Sequence, residues 1–221
     1  MLSKSTVRSQ ISQKLNSISF FDLIQKSENL RENFLQRLIA PNLQVIQGRA
    51  VVSFYPFASE PQINIESEQM NEPYQVAYVR IEDWGQRKMG CALARRDQPG
   101  QWEEVQPVPT VKIFQPAITQ PACKAGAIAL ILVPGVAFSP KTGMRLGRGA
   151  GFYDRFLANH PSVLRVGIAF GEQLDDPLPS DAWDIPVDML LTDENHQSPL
   201  VFNAKRFSEW QKHGKVLTEG T

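Results

Sequence analysis

The chain has 221 residues, 42% of them hydrophobic, which is enough to bury a substantial core in one domain. Its 23 Lys and Arg are balanced by 23 Asp and Glu, so no net charge draws it to nucleic acid or an anionic membrane. No apolar run reaches the length of a signal-peptide core or a membrane span, and the expectation is a single domain over residues 1–221 in the cytoplasm.

Val7, Ile11 and Leu15 recur every fourth residue and predict a helix from about Ser5 to Leu15. Phe20, Leu23, Ile24, Leu30, Phe34, Leu38 and Ile39 fall largely on one face of a second helix, which Ser17 or Ser19 caps and Pro41 ends. Ala50–Phe54 is β-branched and apolar and reads as a buried strand; Tyr74–Ile81 and Met89–Ala94 predict two more. The two cysteines, Cys91 and Cys123, have no metal-ligand spacing and read as ordinary buried or half-buried thiols. From Asp97 to Pro121 the density of Pro, Gln and Gly predicts irregular surface structure with a short strand around Val111–Phe114. Ala127–Val133 is continuously apolar, as in a parallel sheet covered on both faces, and Pro134-Gly135 stops it. A short helix at Phe152–Asn159, strands at Leu164–Phe170 and Asp188–Leu191, and a helix at Lys205–Lys212 complete the chain. Helices first, then strand–loop–helix–strand, predict an α/β fold with a mostly parallel sheet flanked by helices.

The chemistry concentrates in Arg145-Leu146-Gly147-Arg148-Gly149-Ala150-Gly151-Phe152-Tyr153-Asp154. Glycines let a backbone turn through positive φ and approach a ligand closely. The helix that follows presents unpaired N–H groups, and Arg145 and Arg148 add planar cations suited to phosphate oxygens. This combination predicts an anion site with polyphosphate as its guest. The spacing is neither that of a P-loop nor of the dinucleotide fingerprint. A plain tight turn with solvent-facing arginines is the competing reading. Asp154 either complements the helix dipole or holds Mg²⁺ beside the phosphates together with a second carboxylate. Asp175, Asp176, Asp181, Asp184 and Asp188 are all candidates for that second carboxylate, and composition selects none of them.

The run from Val133-Pro-Gly through Phe138 and on from Gly143 to Arg155 resembles the signature of the 5-formyltetrahydrofolate cyclo-ligase family, also called methenyltetrahydrofolate synthetases. The resemblance continues in Val166–Gln173, Asp184-Ile-Pro-Val-Asp188 and Thr192. It also extends back to Phe54-Tyr-Pro-Phe57, Glu60 and Lys4–Arg8. It implies a fold related to the ribose-isomerase and CoA-transferase superfamily. It further implies the ATP- and Mg²⁺-dependent conversion of 5-formyltetrahydrofolate to 5,10-methenyltetrahydrofolate, with release of ADP and phosphate. By that likeness Lys4, Arg8 and the stretch Arg145, Leu146, Gly147, Arg148, Gly149, Ala150, Gly151, Phe152 and Tyr153 bind ATP, with Arg145, Arg148 and Tyr153 catalytic. Arg8, Tyr55, Glu60, Arg148, Gly149, Ala150, Gly151 and Phe152 border the folate, and Asp154 and Asp184 hold the metal. The implied partners are two small molecules, ATP and a reduced folate, acted on by a monomer.

The sequence departs from the family pattern at several places. Trp183 stands where the family often has His, Gln115 where it usually has Glu, Phe152 where it has Tyr, and Ala150 where it has Lys or Gly. A relative that binds nucleotide or folate without turnover, and an ATP-dependent enzyme for a different substrate, are the alternative readings.

Overall fold

The computed structural model describes residues 2–57, 60–66, 73–194 and 199–215. Helix α1 (Lys4–Asn16) begins where the Ser3 hydroxyl accepts the Thr6 N–H, and it buries Val7, Ile11 and Leu15 as their spacing predicts. Ser19 caps α2 (Phe20–Asn33) through the Asp22 N–H, whereas Ser17 closes α1 by donating to the Lys14 carbonyl.

The predicted face of the second helix is only partly right. Leu30, Phe34, Leu38 and Ile39 are buried, but Phe20 and Ile24 are 79% and 54% exposed. At 3.6 residues per turn these two stand roughly 80° and 120° around the axis from Leu30, which carries them off the core side. Pro41 does not end the helical path either. A wide π-type turn at Phe34–Ile39 and a 3₁₀ turn at Ala40–Asn42 redirect it into the short α3 (Leu43–Ile46).

After α3 come β1 (Ala50–Ser53), β2 (Gln75–Asp83), β3 (Lys88–Leu93), β4 (Trp102–Val108), β5 (Val111–Pro116) and β6 (Ile128–Val133). They are followed by β7 (Ala137–Phe138), β8 (Arg145–Leu146), α4 (Phe152–Ala158), β9 (Leu164–Ala169), β10 (Met189–Thr192), β11 (Leu200–Val201) and α5 (Ala204–His213). Seven strands form the central sheet in the order β11-β10-β9-β6-β1-β2-β3. The five inner strands are parallel, and the two edge strands pair antiparallel.

Every residue of β6 is buried because both sheet faces are covered. Leu130 and Leu132 join a cluster with Ile11, Leu30 and Trp210, while Ile131 and Val133 join Phe156 and Leu157 of α4. Each such side chain stabilises the fold by about 1.5–3 kcal/mol. No helix among the described residues is long and apolar enough to cross a membrane.

Residues 97–121 are more ordered than their composition predicts. The expected strand near Val111–Phe114 exists as β5, but Trp102–Val108 pairs with it as a full antiparallel hairpin. Glu, Gln and Pro mask the alternation in β4 because one side of the hairpin faces solvent. Gln115 hooks this hairpin to the sheet. Its Oε1 accepts the Ile81 N–H at 2.8 Å, and its Nε2 donates to the Ile81 carbonyl at 3.3 Å.

The strand order also locates a crevice. From β1 the chain runs to β2 and β3 on one side, and from β6 to β9 and β10 on the other. The connections leaving the C-terminal ends of β1 and β6 therefore diverge, and ligands of open α/β sheets bind at such a switch point. Tyr55, Phe57 and Glu60 follow β1, and the path to the glycine turn follows β6.

Candidate functional site

The β7–β8 ribbon pairs Ala137 with Leu146 and Phe138 with Arg145, so the glycine turn starts from a fixed base. The Arg145 side chain is 3% exposed, and its Nη2 meets Asp154 Oδ1 at 2.8 Å. Its guanidinium lies over the Tyr153 ring at 5.5 Å, while its buried Nε has no hydrogen-bond partner among the described residues. Gly149 and Gly151 have φ of 106° and 71°, conformations that side-chain-bearing residues rarely adopt. A Cβ on Gly147 would stand 2.7 Å from Arg145 Nη1, so that residue lets the chain fold over the arginine. Gly151 caps α4 without a side-chain acceptor.

Among the described residues, three cations around the turn are paired with carboxylates. Besides Arg145–Asp154, Arg148 Nε meets Glu60 Oε1 at 3.0 Å, and its guanidinium sits 4.4 Å from the Phe57 ring centre. Lys4 Nζ meets Asp184 Oδ2 at 2.6 Å and Asp181 Oδ2 at 2.8 Å. One helical turn along α1, Arg8 Nε donates to the Gly147 carbonyl at 2.8 Å. The Ile185 N–H donates to Asp154 Oδ1 at 3.3 Å, which ties the loop carrying Asp184 to α4. Residues 4, 8, 60, 145–154 and 184 thus converge on one crevice from four parts of the chain.

The charges are unequally solvated. Burial pushes the Glu60 carboxyl above its ordinary range, and the Arg148 charge and the Phe57 N–H only partly offset this. Burial acts in the same direction on Asp184, but hydrogen bonds from Lys4 and the Asp181 N–H, with the charges of Lys4 and Arg145, prevail and hold it low. The Tyr153 hydroxyl is buried with no hydrogen-bond partner among the described residues; burial first, and then the Glu60 charge, raise its pKa. An unsatisfied buried hydroxyl costs free energy.

Asp154 and Asp184 each commit one carboxylate oxygen to neighbours, and the other takes no hydrogen bond among the described residues. Hard oxygen donors of this kind suit a divalent cation that also binds phosphate. Among the described residues no three His, Cys, Asp or Glu side chains group as a metal site, so protein ligands alone would not complete the coordination. The remaining acids serve elsewhere. Asp188 accepts the Arg165 N–H at 2.9 Å and Arg206 Nε at 2.7 Å, and Asp176 accepts Ser139 and Lys141.

Tyr55 faces the β4–β5 hairpin, with ring centres 5.5 Å from Trp102 and 4.9 Å from Phe114. No contact found among the described residues links it to the glycine turn. Trp183, next to Asp184, is 71% exposed. Three further neighbours were given no site role by the sequence. Phe57 lies under Arg148, Trp84 lies 5.1 Å from Phe152, and the Arg87 guanidinium stands 3.9 Å from where a Gly151 Cβ would be. Trp84 and Arg87 arrive on the β2–β3 turn, which Arg155 holds through the Gln86 carbonyl at 2.7 Å. Their sequence context is that of an ordinary hairpin turn, so no local signal marks them. Two open concavities, of about 430 and 570 Å³, lie elsewhere, one beside Lys26 and Glu172 and one beside α3 and α5.

Residues 1–193 match the family model described as 5-formyltetrahydrofolate cyclo-ligase. The 5-formyltetrahydrofolate cyclo-ligase of Mus musculus is 26% identical over 207 residues, covering 88% of this chain and 96% of that one. The solution structure of Aquifex aeolicus 5,10-methenyltetrahydrofolate synthetase superposes with a TM-score of 0.71 at 25% identity, covering 91% of this chain and 93% of that one. A 5,10-methenyltetrahydrofolate synthetase from Mycoplasma pneumoniae shares the fold, with a TM-score of 0.66 at 20% identity over 87% of this chain and all of that one. The family model spans residues 1–193 of the 221, and the chain belongs to the 5-formyltetrahydrofolate cyclo-ligase family.

Proposed function

We propose that the chain closes 5-formyltetrahydrofolate to 5,10-methenyltetrahydrofolate at the expense of ATP, releasing ADP and phosphate. The observation that carries this reading is the convergence of Lys4, Arg8, Arg145 and Arg148 on one glycine turn. The names of the mouse and Aquifex relatives supply the second substrate. The formyl oxygen is a poor leaving group until it carries a phosphoryl group from ATP. The N10 lone pair then attacks the formyl carbon. The C–O electrons leave with phosphate, and N10 loses its proton.

Arg145 and Arg148 meet the charge that develops on the transferred phosphoryl oxygens, and Lys4 and Arg8 orient the polyphosphate. The Tyr153 hydroxyl, buried and unpartnered, is a donor in place for one of those oxygens. Glu60 accepts hydrogen bonds from the amino groups of the reduced pterin, and Gly149, Ala150, Gly151 and Phe152 bring the folate against the backbone. Asp154 and Asp184 would hold Mg²⁺, which supplies charge neutralisation at the phosphates. Tyr55 on this reading meets the folate at the hairpin side of the crevice. The chain would work as a cytoplasmic, single-domain monomer.

The test is the absorbance of the methenyl product with 5-formyltetrahydrofolate, ATP and Mg²⁺. Product is expected only when all three are present. Folded protein that binds ATP but forms no product would favour the binding-only relative, to which Trp183 points, since its indole is neither acid, base nor metal ligand. ADP release driven by another formamide alone would favour a different substrate.

A further inference from the structure

The chain's two cysteines, 32 positions apart in sequence, oppose each other at the outer edge of the central sheet. Cys91 lies on β3, and Cys123 lies on the segment that returns from the β4–β5 hairpin along the free side of that strand. Ala92 and Ala122 form an antiparallel bridge. The Leu93 N–H donates to the Pro121 carbonyl at 3.0 Å, and the Cys123 N–H donates to the Cys91 carbonyl at 2.9 Å. One step along this ladder sets Cys91 directly opposite Cys123. Opposed residues of an antiparallel pair have Cα atoms about 4.5–5.5 Å apart and side chains on one face. Disulfides span Cα separations of about 4.4–6.8 Å.

The two thiols also differ as a nucleophile and a resolving partner should. Cys123 is half-buried and reachable, while Cys91 is 5% exposed. The neighbouring Cys91 thiol lowers the Cys123 pKa, and the Cys123 thiol, with burial, raises that of Cys91, while the Cys123 thiol lies 3.9 Å from the Lys124 carbonyl to which it donates. A depressed, accessible thiol beside a second thiol is the arrangement found at oxidation-sensitive sites.

We propose that Cys91 and Cys123 form a reversible redox site, closing an intramolecular disulfide across the sheet edge when the protein meets a peroxide. The Cys123 thiolate attacks one peroxide oxygen and the O–O bond breaks. The departing hydroxide is protonated to water, leaving a sulfenic acid on Cys123. The Cys91 sulfur then attacks the Cys123 sulfur, loses its own proton, and displaces the sulfenic oxygen as a second water. Two thiols are oxidised and one peroxide is reduced to two waters. The return segment is already held against β2 by Arg80, whose Nη1 donates to the carbonyls of Ala117, Ile118 and Gln120 at 3.0, 3.4 and 3.1 Å. The sulfurs can therefore meet without a large backbone movement. The closed loop contains the whole β4–β5 hairpin, and its closure limits the unfolded chain.

The site is independent of the folate reading, and its test needs no substrate. Folded protein is treated with hydrogen peroxide, alkylated and digested with trypsin without reductant. Residues 89–95 joined to residues 113–124, lighter by the two thiol hydrogens and separated again by dithiothreitol, is the expected result. The oxidised protein should melt roughly 5–10 °C higher than the reduced protein. In Cys91→Ser, Cys123 should be trapped as a sulfenic acid by dimedone; in Cys123→Ser, Cys91 should stay reduced in the folded state. Direct passage of Cys123 to sulfinic acid, links only between chains, or a link formed only in denaturant would each overturn the proposal. If Cys91→Ser does not fold, peptide mapping of the unaltered chain and of Cys123→Ser decides by itself.

Discussion

Arg145 and Arg148 stand three positions apart in one turn, yet their replacement by alanine should have different consequences. The Arg145 side chain is 3% exposed and faces Asp154, which is 19% exposed, so Arg145→Ala breaks a pair that is largely out of water. Losing one partner of a buried pair costs about 3–5 kcal/mol. Asp154 keeps some solvent and the Ile185 N–H, which places this case near the lower end, about 3 kcal/mol. The Arg148 side chain is 49% exposed. Its pair is closer to a surface one, worth about 0–1 kcal/mol. The Glu60 left behind keeps the Phe57 N–H, and its raised pKa lets it take up a proton more readily.

For a chain of this length each kcal/mol moves Tm by about 2–4 °C, so Arg145→Ala should melt ~6–12 °C lower and Arg148→Ala no more than ~4 °C lower. Both should lose about 10²–10³ in kcat, as the removal of a charge-stabilising donor commonly does. Only Arg148→Ala should do so with nearly intact stability. Calorimetry beside the methenyl absorbance assay separates the two effects. An Arg145→Ala protein as stable as the unaltered chain would refute the role given to Arg145 in closing the turn.

Gly149→Ala forces an L side chain to a φ of 106°, where a Cβ would make only ordinary contact with Arg8 at 3.5 Å. The cost is conformational, about 1–3 kcal/mol, and should appear as a lower Tm together with weaker ATP binding by calorimetry. Gln115→Glu removes the donor to the Ile81 carbonyl and buries a carboxylate beside Glu103, which Gln115 now contacts at 3.3 Å. A loss of about 1–3 kcal/mol at neutral pH is expected in denaturant titrations, relieved as acid protonates the new carboxyl. The Asp184 pKa is held below its ordinary 3.8, so its contribution to stability is complete above that value and is lost as pH falls through the lowered one. Asp184→Asn should remove this acid-side component from the stability–pH curve, and an unchanged curve would mean that the Lys4 pairing does not hold in solution.

The fold was legible where sequence periodicity and burial are the same thing. The unbroken apolar run of β6 gave a doubly covered strand, and Val7, Ile11 and Leu15 gave the buried stripe of α1. It was illegible where the turn angle of a helix decides burial, as at Phe20 and Ile24. It was also illegible where a half-exposed hairpin hides its alternation, as at β4. For the site, the glycine turn announces itself because its backbone conformation demands glycine at Gly149 and Gly151. Lys4, Arg8, Glu60 and Asp184 are chemically ordinary residues and become meaningful only when the fold brings them together. Resemblance named them, while local pattern could not. Arg87 had neither signal, since a cation on a hairpin tip looks the same at any surface, and Phe57 lies in the resembling run Phe54-Tyr-Pro-Phe57 but was given no role.

In this arrangement the cations nearest the turn are not idle. Arg145, Arg148 and Lys4 each hold a carboxylate, and Arg8 holds the Gly147 carbonyl. An arriving polyphosphate therefore exchanges one set of anionic partners for another. The net gain is the difference between two charge-assisted sets of hydrogen bonds, which is smaller than either. The exchange need not be equal at every arm. Arg145 is enclosed and can turn toward a ligand only by exposing Asp154, whose free oxygen is then beside the same phosphate. On the proposed function, a divalent cation would relieve that repulsion, with Asp154 and Asp184 as the residues that would hold it beside the phosphate. Arg148 has the opposite freedom. It is half exposed, and by leaving Glu60 for a phosphate it uncovers a buried acceptor at the point where donors of the second substrate are expected. Filling the phosphate side of the crevice thereby prepares the other side, so nucleotide and folate affinities should reinforce each other by equal factors.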